Sequence, residues 1–152
     1  MNTLNRLSAS TPVRHRSLAA RALARLAATG MTLLCMASLP VQAATPAEML
    51  AGYNAAAGAA GNSSRGQAFF NNRHGREWAC ATCHGATPTG VGKHASTAKP
   101  IEALAPAANA KRFTDTAQTE KWFRRNCNDV VGRECTAAEK ADVLAWLSTL
   151  RP

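Results

Sequence analysis

No acidic side chain occurs in the first 43 residues, no methionine follows Met49, and no apolar run reaches the length of a membrane span. The longest such run, Leu26 to Leu39, has 14 residues, against the about 20 that a bilayer core demands. These absences shape the N-terminus. Arg6, Arg14, Arg16, Arg21 and Arg25 stand in the acid-free stretch, followed by the short apolar run, Pro40, and the small-residue site Val41-Gln42-Ala43. That layout is an export signal cleaved after Ala43, not a retained anchor. We therefore expect residues 1–43 to be a signal peptide and 44–152 the mature domain, with no membrane anchor. Cys35 lies behind Leu33-Leu34 rather than behind the small residues that a lipid-attachment site prefers. It leaves with the signal, and four cysteines remain.

Losing the signal also removes most of the positive charge. The whole chain carries 18 basic and 9 acidic side chains; residues 44–152 carry 13 and 9, a net +4. The high isoelectric point of the precursor is thus a poor argument for nucleic-acid binding, and we expect none. What the remaining charge could serve is docking of an acidic redox partner. Aromatic residues are scarce, with one Tyr, three Trp and four Phe. About 109 residues make one small domain with a modest core of Leu, Val and Ala.

Against this background stands Cys80-Ala81-Thr82-Cys83-His84. A zinc site needs a second ligand pair at similar spacing, and there is no second Cys-x-x-Cys and no His-x-x-x-His. A thioredoxin-like redox pair should follow a βαβ pattern, and none surrounds it. What remains is the attachment motif of a c-type haem. Two thiols three positions apart add to the two vinyl groups of one porphyrin, and the following histidine becomes the proximal iron ligand. Export agrees with this, because c-type attachment in bacteria takes place outside the cytoplasm; the expected compartment is the periplasm. One haem c would supply much of the apolar volume that the core lacks.

Helix signals flank the motif. Thr45-Pro46 reads as an N-cap followed by a first-turn proline, and Tyr53 continues the apolar face. A second helix begins near Ser64 and carries Gly66, Phe69 and Phe70. Residues 71–77 are polar and read as a loop, as does the Gly-, Thr- and Pro-rich stretch 85–98. Pro100 to Pro106 offers apolar residues without regular structure. Asp115 caps a helix containing Trp122 and Phe123, with Gln118 placed for a capping box. Thr136 and Glu139 form a second such box before Val143, Leu144, Trp146, Leu147 and Leu150. No alternating strand pattern of useful length occurs. The expected fold is all-α.

The missing methionine matters here, since ordinary small electron carriers of this type place one downstream as second axial ligand. Met1, Met31 and Met36 lie in the signal, and Met49 precedes the haem motif at a core spacing. The other face of the iron must be empty, or hold His74, His94 or a less usual group. Both histidines sit in polar neighbourhoods and read as exposed loop residues.

The arrangement of helices around Cys-x-x-Cys-His resembles the class I cytochrome c fold, in which the terminal helix crosses an early one carrying a glycine and an aromatic residue. Gly66, Phe69 and Trp146 would take those places. More specifically, Leu104-Ala105-Pro106, Arg112-Phe113-Thr114-Asp115, and Asn126-Cys127-Asn128 with Cys135 eight residues later resemble the small high-spin cytochromes c called SHP and their relatives, the cytochromes c″. The resemblance spans nearly all of residues 45–150. It implies that Asn126, just before the first late cysteine, is the sixth haem ligand; the c″ relatives have histidine there. It also implies a disulfide between Cys127 and Cys135, and a dihaem cytochrome c as electron donor. On residue chemistry alone, Asn126 reads sooner as a residue ending a helix than as a ligand.

An amide oxygen is a neutral, weak-field donor with little grip on ferrous iron. The resemblance therefore implies an exported monohaem cytochrome, not an enzyme. Its iron is high-spin, and Asn126 lets go on reduction so that a diatomic ligand (O₂, NO or CO) can bind. Two alternatives remain: a simple bis-histidine electron shuttle using His74 or His94, and a gas sensor or scavenger.

Overall fold

The computed structural model describes residues 43–152; the signal peptide expected over 1–43, with Cys35, lies outside them but for Ala43. The described chain runs α1 (Pro46–Ala57), α2 (Ser63–Asn71), α3 (Cys80–His84), β1 (Gly92–Lys93), β2 (Pro100–Ile101), α4 (Thr116–Val131) and α5 (Ala137–Leu147). The expected all-α architecture is borne out, with one addition. The loop read over 85–98 and the stretch 100–106 read as irregular are joined by a two-residue antiparallel ladder pairing Gly92 with Ile101 and Lys93 with Pro100. Two residues per strand are too few to leave an alternating pattern in a sequence.

The helix ends follow their caps. Thr45 and Glu48 cap α1 reciprocally: the Glu48 N–H donates to Thr45 Oγ1 at 3.1 Å and the Thr45 N–H to Glu48 Oε2 at 2.7 Å. Thr136 and Glu139 do the same for α5, at 3.2 and 2.8 Å. At α4 only half of the expected box forms. Asp115 accepts from the Gln118 N–H at 2.8 Å, whereas the Gln118 side chain makes no return bond among the described residues. The second helix is capped by Asn62, which accepts from the Arg65 N–H at 2.9 Å.

Helix α5 is the spine of the core. Ala141, Val143, Leu144, Trp146 and Leu147 are buried, with Leu144 and Leu147 fully so, and α2 and α1 pack across it. Gly66 makes the α2–α5 crossing possible, because a Cβ there would collide with the Asp142 carbonyl. The aromatic partner at this crossing is Phe70, not Phe69: the Phe70 ring lies 5.0 Å from Trp146. Phe69 is only half-buried and instead faces His74, with ring centroids 4.2 Å apart. The next residue along the helix is rotated by about 100°, and Phe70 is the one that falls on the Gly66 face (i, i+4).

One charge is buried within this core. Asp142 accepts from the Asn62 N–H at 2.6 Å and from Arg65 Nε and Nη2 at 2.7 and 2.8 Å. Burial alone would raise its carboxyl, but those bonds and the Arg65 charge hold it below the ordinary range. The carboxylate also meets the N-terminus of α2, where helix N–H groups point outward. Met49, as expected, is packed in the core.

Candidate haem site

Helix α3 is a single turn, and that turn sets the chemistry of the motif. The Ala79 N–H donates to Thr82 Oγ1 at 3.0 Å, closing the turn from inside. Cys80, Cys83 and His84 consequently line one cleft of about 620 Å³. Its size falls among ordinary ligand pockets, about 300–1,000 Å³. Burial pushes the Cys80 thiol up to about 11. Cys83 Sγ accepts from the Ala95 N–H at 3.4 Å, which ties the β1–β2 loop to the motif. Gly92 permits this approach: a Cβ there would strike the Cys83 carbonyl.

His84 is half-buried, with Phe70 6.1 Å away between ring centroids. Burial, and then the charge of Arg112, lower its imidazole to about 4. The ring is thus neutral at physiological pH, with a lone pair to give a metal.

Helix α4 forms another wall of the cleft, through Thr119, Trp122, Phe123, Asn126 and Cys127. Asn126 is not at the end of its helix. Helix α4 continues to Val131 and closes at Gly132, so the helix-ending reading of this residue is corrected. Its amide differs from that of its neighbour. Asn128 Nδ2 donates back to the Arg124 carbonyl at 2.8 Å, while among the described residues the Asn126 side chain has no hydrogen-bond partner. Next to it, Cys127 is joined to Cys135 in a disulfide, with Cα atoms 5.6 Å apart.

The two histidines considered as ligands are half-buried, not exposed as their polar neighbourhoods suggest. His74 is not among the cleft-lining residues, and its Nε2 is engaged with the Phe69 carbonyl at 2.8 Å. His94 does line the cleft, but its Nδ1 accepts from the Ser96 and Thr97 N–H groups, each at 3.3 Å. In a neutral imidazole that leaves the proton on Nε2, which then has no lone pair for iron. The backbone around each ring, invisible in composition, is what occupies them.

Reading the sequence missed several wall residues. Trp78, two positions before Cys80, lines the cleft and could have been suspected from its place. Arg112 belonged to a quoted motif without a role. Its Nε donates to the Ala103 carbonyl at 2.9 Å and Nη2 to the Glu102 carbonyl at 2.8 Å, pinning the segment just after β2 to the cleft rim. The adjacent Phe113 is buried at φ 60°, a left-handed conformation costing a non-glycine residue about 1–2 kcal/mol. That turn delivers both the Arg112 guanidinium and the Phe113 ring to the cleft.

These residues fit a haem. Phe70, Ile101, Leu104, Val143 and Leu147 give the cleft apolar walls for a porphyrin face. Lys111, Arg112 and Arg125 outnumber the cleft's carboxylates, Asp115 and Asp129, which suits a group bearing two carboxylates of its own.

Comparison with known proteins agrees. A domain of unknown function (DUF1924) matches residues 56–147. The cytochrome c-type protein SHP of Cereibacter sphaeroides is 51% identical over 108 residues, 68% of this chain and 83% of that protein. Cytochrome c″ of Methylophilus methylotrophus is 46% identical over 88 residues, 55% of this chain and 61% of that protein. Among solved structures, oxidised SHP, described as an oxygen-binding cytochrome c, superposes with a TM-score of 0.67 at 48% identity, covering 71% of this chain and 99% of that one. Oxidised cytochrome c″ from M. methylotrophus gives a TM-score of 0.64 at 37% identity, covering 70% and 95%. The motif, the cleft that it lines and these likenesses together place the chain in the SHP family of monohaem c-type cytochromes, related to the cytochromes c″, with one haem c as its cofactor.

Proposed function

We propose that this protein is a periplasmic cytochrome in which His84 holds the iron from the proximal side and the Asn126 amide oxygen caps it in the ferric state. The thiols of Cys80 and Cys83 attach the cofactor as thioethers. When bound, the haem supplies a one-electron couple and, in its ferrous form, an affinity for small diatomic gases. The chain decides which of these properties is expressed. Asn126 is the observation that carries the reading: it lines the same cleft as His84, and no other group in the described residues holds its amide. Its oxygen is a hard, weak-field donor that favours ferric over ferrous iron.

With the haem bound, reduction would weaken the hold of Asn126 and leave room in the cleft beside it for O₂, NO or CO. Phe123, one turn earlier on the same helix, lines that part of the cleft. The SHP relative is described as oxygen-binding, which supports the same ligand class here. The electron comes from another cytochrome, and a dihaem cytochrome c is the donor that the family resemblance implies. The relatives that the chain matches are cytochromes, which supports binding and electron transfer, not catalytic turnover, as the outputs.

Absorption spectra of the purified holoprotein test this directly. The ferric form should be high-spin, and the ferrous form should take up CO rapidly. Sharp low-spin ferrous bands unaltered by CO would instead identify a closed shuttle.

A further inference from the structure

Helix α4 stands apart from the α1/α2/α5 core, and chiefly side chains reach across from it. Its C-terminal half is tied by the Cys127–Cys135 disulfide. Its N-terminal half is tied by Glu120, whose two oxygens go to two different helices. Tyr53 of α1 donates its hydroxyl to Glu120 Oε1 at 2.6 Å, and Lys140 of α5 donates Nζ to Oε2 at 2.6 Å. Tyr53 is buried, and Lys140 keeps 15% of its side-chain surface. Burial alone would raise the Glu120 carboxyl, but bonds from Lys140 and Tyr53 and the charges of Lys140 and Arg124 leave it below the ordinary range. Burial and the bond to Glu120 push the Tyr53 phenol up.

The same cluster touches the haem cleft. Lys140 Nζ lies 5.7 Å from the Tyr53 ring centroid and 5.8 Å from that of Phe123. Phe123 meets Tyr53 edge-on at 5.8 Å, and it precedes Asn126 by three residues on the cleft wall. Residues three apart share a helix face.

We propose that Glu120, gripped by Tyr53 and Lys140, is a positioning residue that sets how easily Asn126 leaves the iron. The inference rests on the reading of Asn126 as distal ligand. With the disulfide fixing one end of α4 and Glu120 the other, Asn126 sits between two anchors, and its release is a small displacement of the segment that they bracket. Slackening the Glu120 anchor lets α4 drift outward and lowers the grip of Asn126, while the iron, His84 and the cleft remain as they were.

The test uses ferric azide affinity and ferrous CO association after flash photolysis, measured on holoprotein carrying Tyr53→Phe or Glu120→Ala, with and without Asn126→Ala. Losing one such hydrogen bond should raise ferric azide affinity by about threefold to tenfold and leave the CO rate of the ferrous form, where Asn126 has already let go, almost unchanged. In the Asn126→Ala background the same substitutions should do almost nothing, because the group that they position is gone. Tyr53→Phe removes only a hydroxyl, so it answers the question even if Glu120→Ala does not mature. Unchanged azide binding together with a lowered melting temperature would make the cluster merely structural and overturn the proposal. So would effects that persist in the Asn126→Ala background, since they would be acting on cleft access. If Asn126→Ala itself leaves the ferric spectrum untouched, the ligand reading fails first, and visibly so.

Discussion

Helix α5 buries six of its 11 residues, whereas α4 buries three of its 16: Thr119, Cys127 and Val130. The first is held by continuous apolar packing against α1 and α2. The second is held by a disulfide, one carboxylate shared between two helices, and a few ring contacts. Packing of the first kind has no neighbouring arrangement of similar energy, because close-packed interiors yield only by losing contacts. Attachment of the second kind allows a wall to shift by a short distance while the domain stays folded. The haem cleft lies between the two, so the fold separates a rigid half carrying His84 from a tethered half carrying Asn126.

Breaking the rigid half should have the larger effect on stability. Leu144 is fully buried, and Leu144→Ala should cost about 3 kcal/mol in denaturant unfolding of the holoprotein. The haem spectrum of the surviving native fraction should be unaltered. Removing the tether by Cys127→Ser with Cys135→Ser should cost about 2.5 kcal/mol, the chain-entropy figure for so short a loop. Unlike the core variant, it should also tighten ferric azide binding, because Asn126 adjoins Cys127. If both variants altered ligand binding alike, the contrast between the halves would be wrong.

The smallest effect concerns the end of the disulfide loop. Arg133 donates to both Glu139 oxygens, at 2.8 and 2.6 Å. Its bonds, together with those from Thr136, hold that carboxyl at about 2 against an ordinary 4.5. A lowered carboxylate contributes its stability in full above about pH 4.5 and loses it as pH falls towards about 2. Glu139→Gln should therefore flatten the loss of stability across that acid window and leave the curve above it parallel to wild type. Added salt should shrink the difference, since the Arg133 side chain is exposed.

Within both halves, local features and long-range ones differed in how well the sequence disclosed them. Caps and apolar spacing marked out α1, α4 and α5 because those signals are local: Thr45 with Glu48 and Thr136 with Glu139 sit three residues apart. The Cys-x-x-Cys-His turn was equally local. What stayed hidden depends on contacts far apart in the chain. Phe69 and Phe70 are equivalent as composition, and only the crossing with α5 through Gly66 selects Phe70. His94 looked like a free loop residue until the Ser96 and Thr97 amides were seen on its Nδ1. The Tyr53–Glu120–Lys140 cluster joins residues 67 and 20 positions apart, so no window of sequence contains it. Asn126 was a third case: its neighbours do not single it out, and the family resemblance supplied the role that the open cleft makes plausible chemically.

That role is best tested at the residue itself. Replacing Asn126 with histidine exchanges a weak-field oxygen for a strong-field nitrogen at one position of the α4 wall. The account predicts that ferric Asn126→His holoprotein becomes low-spin by absorption and electron paramagnetic resonance, and that its ferrous form takes up CO more slowly than wild type. A ferric spectrum indistinguishable from wild type would contradict it, and would remove Asn126 from the iron.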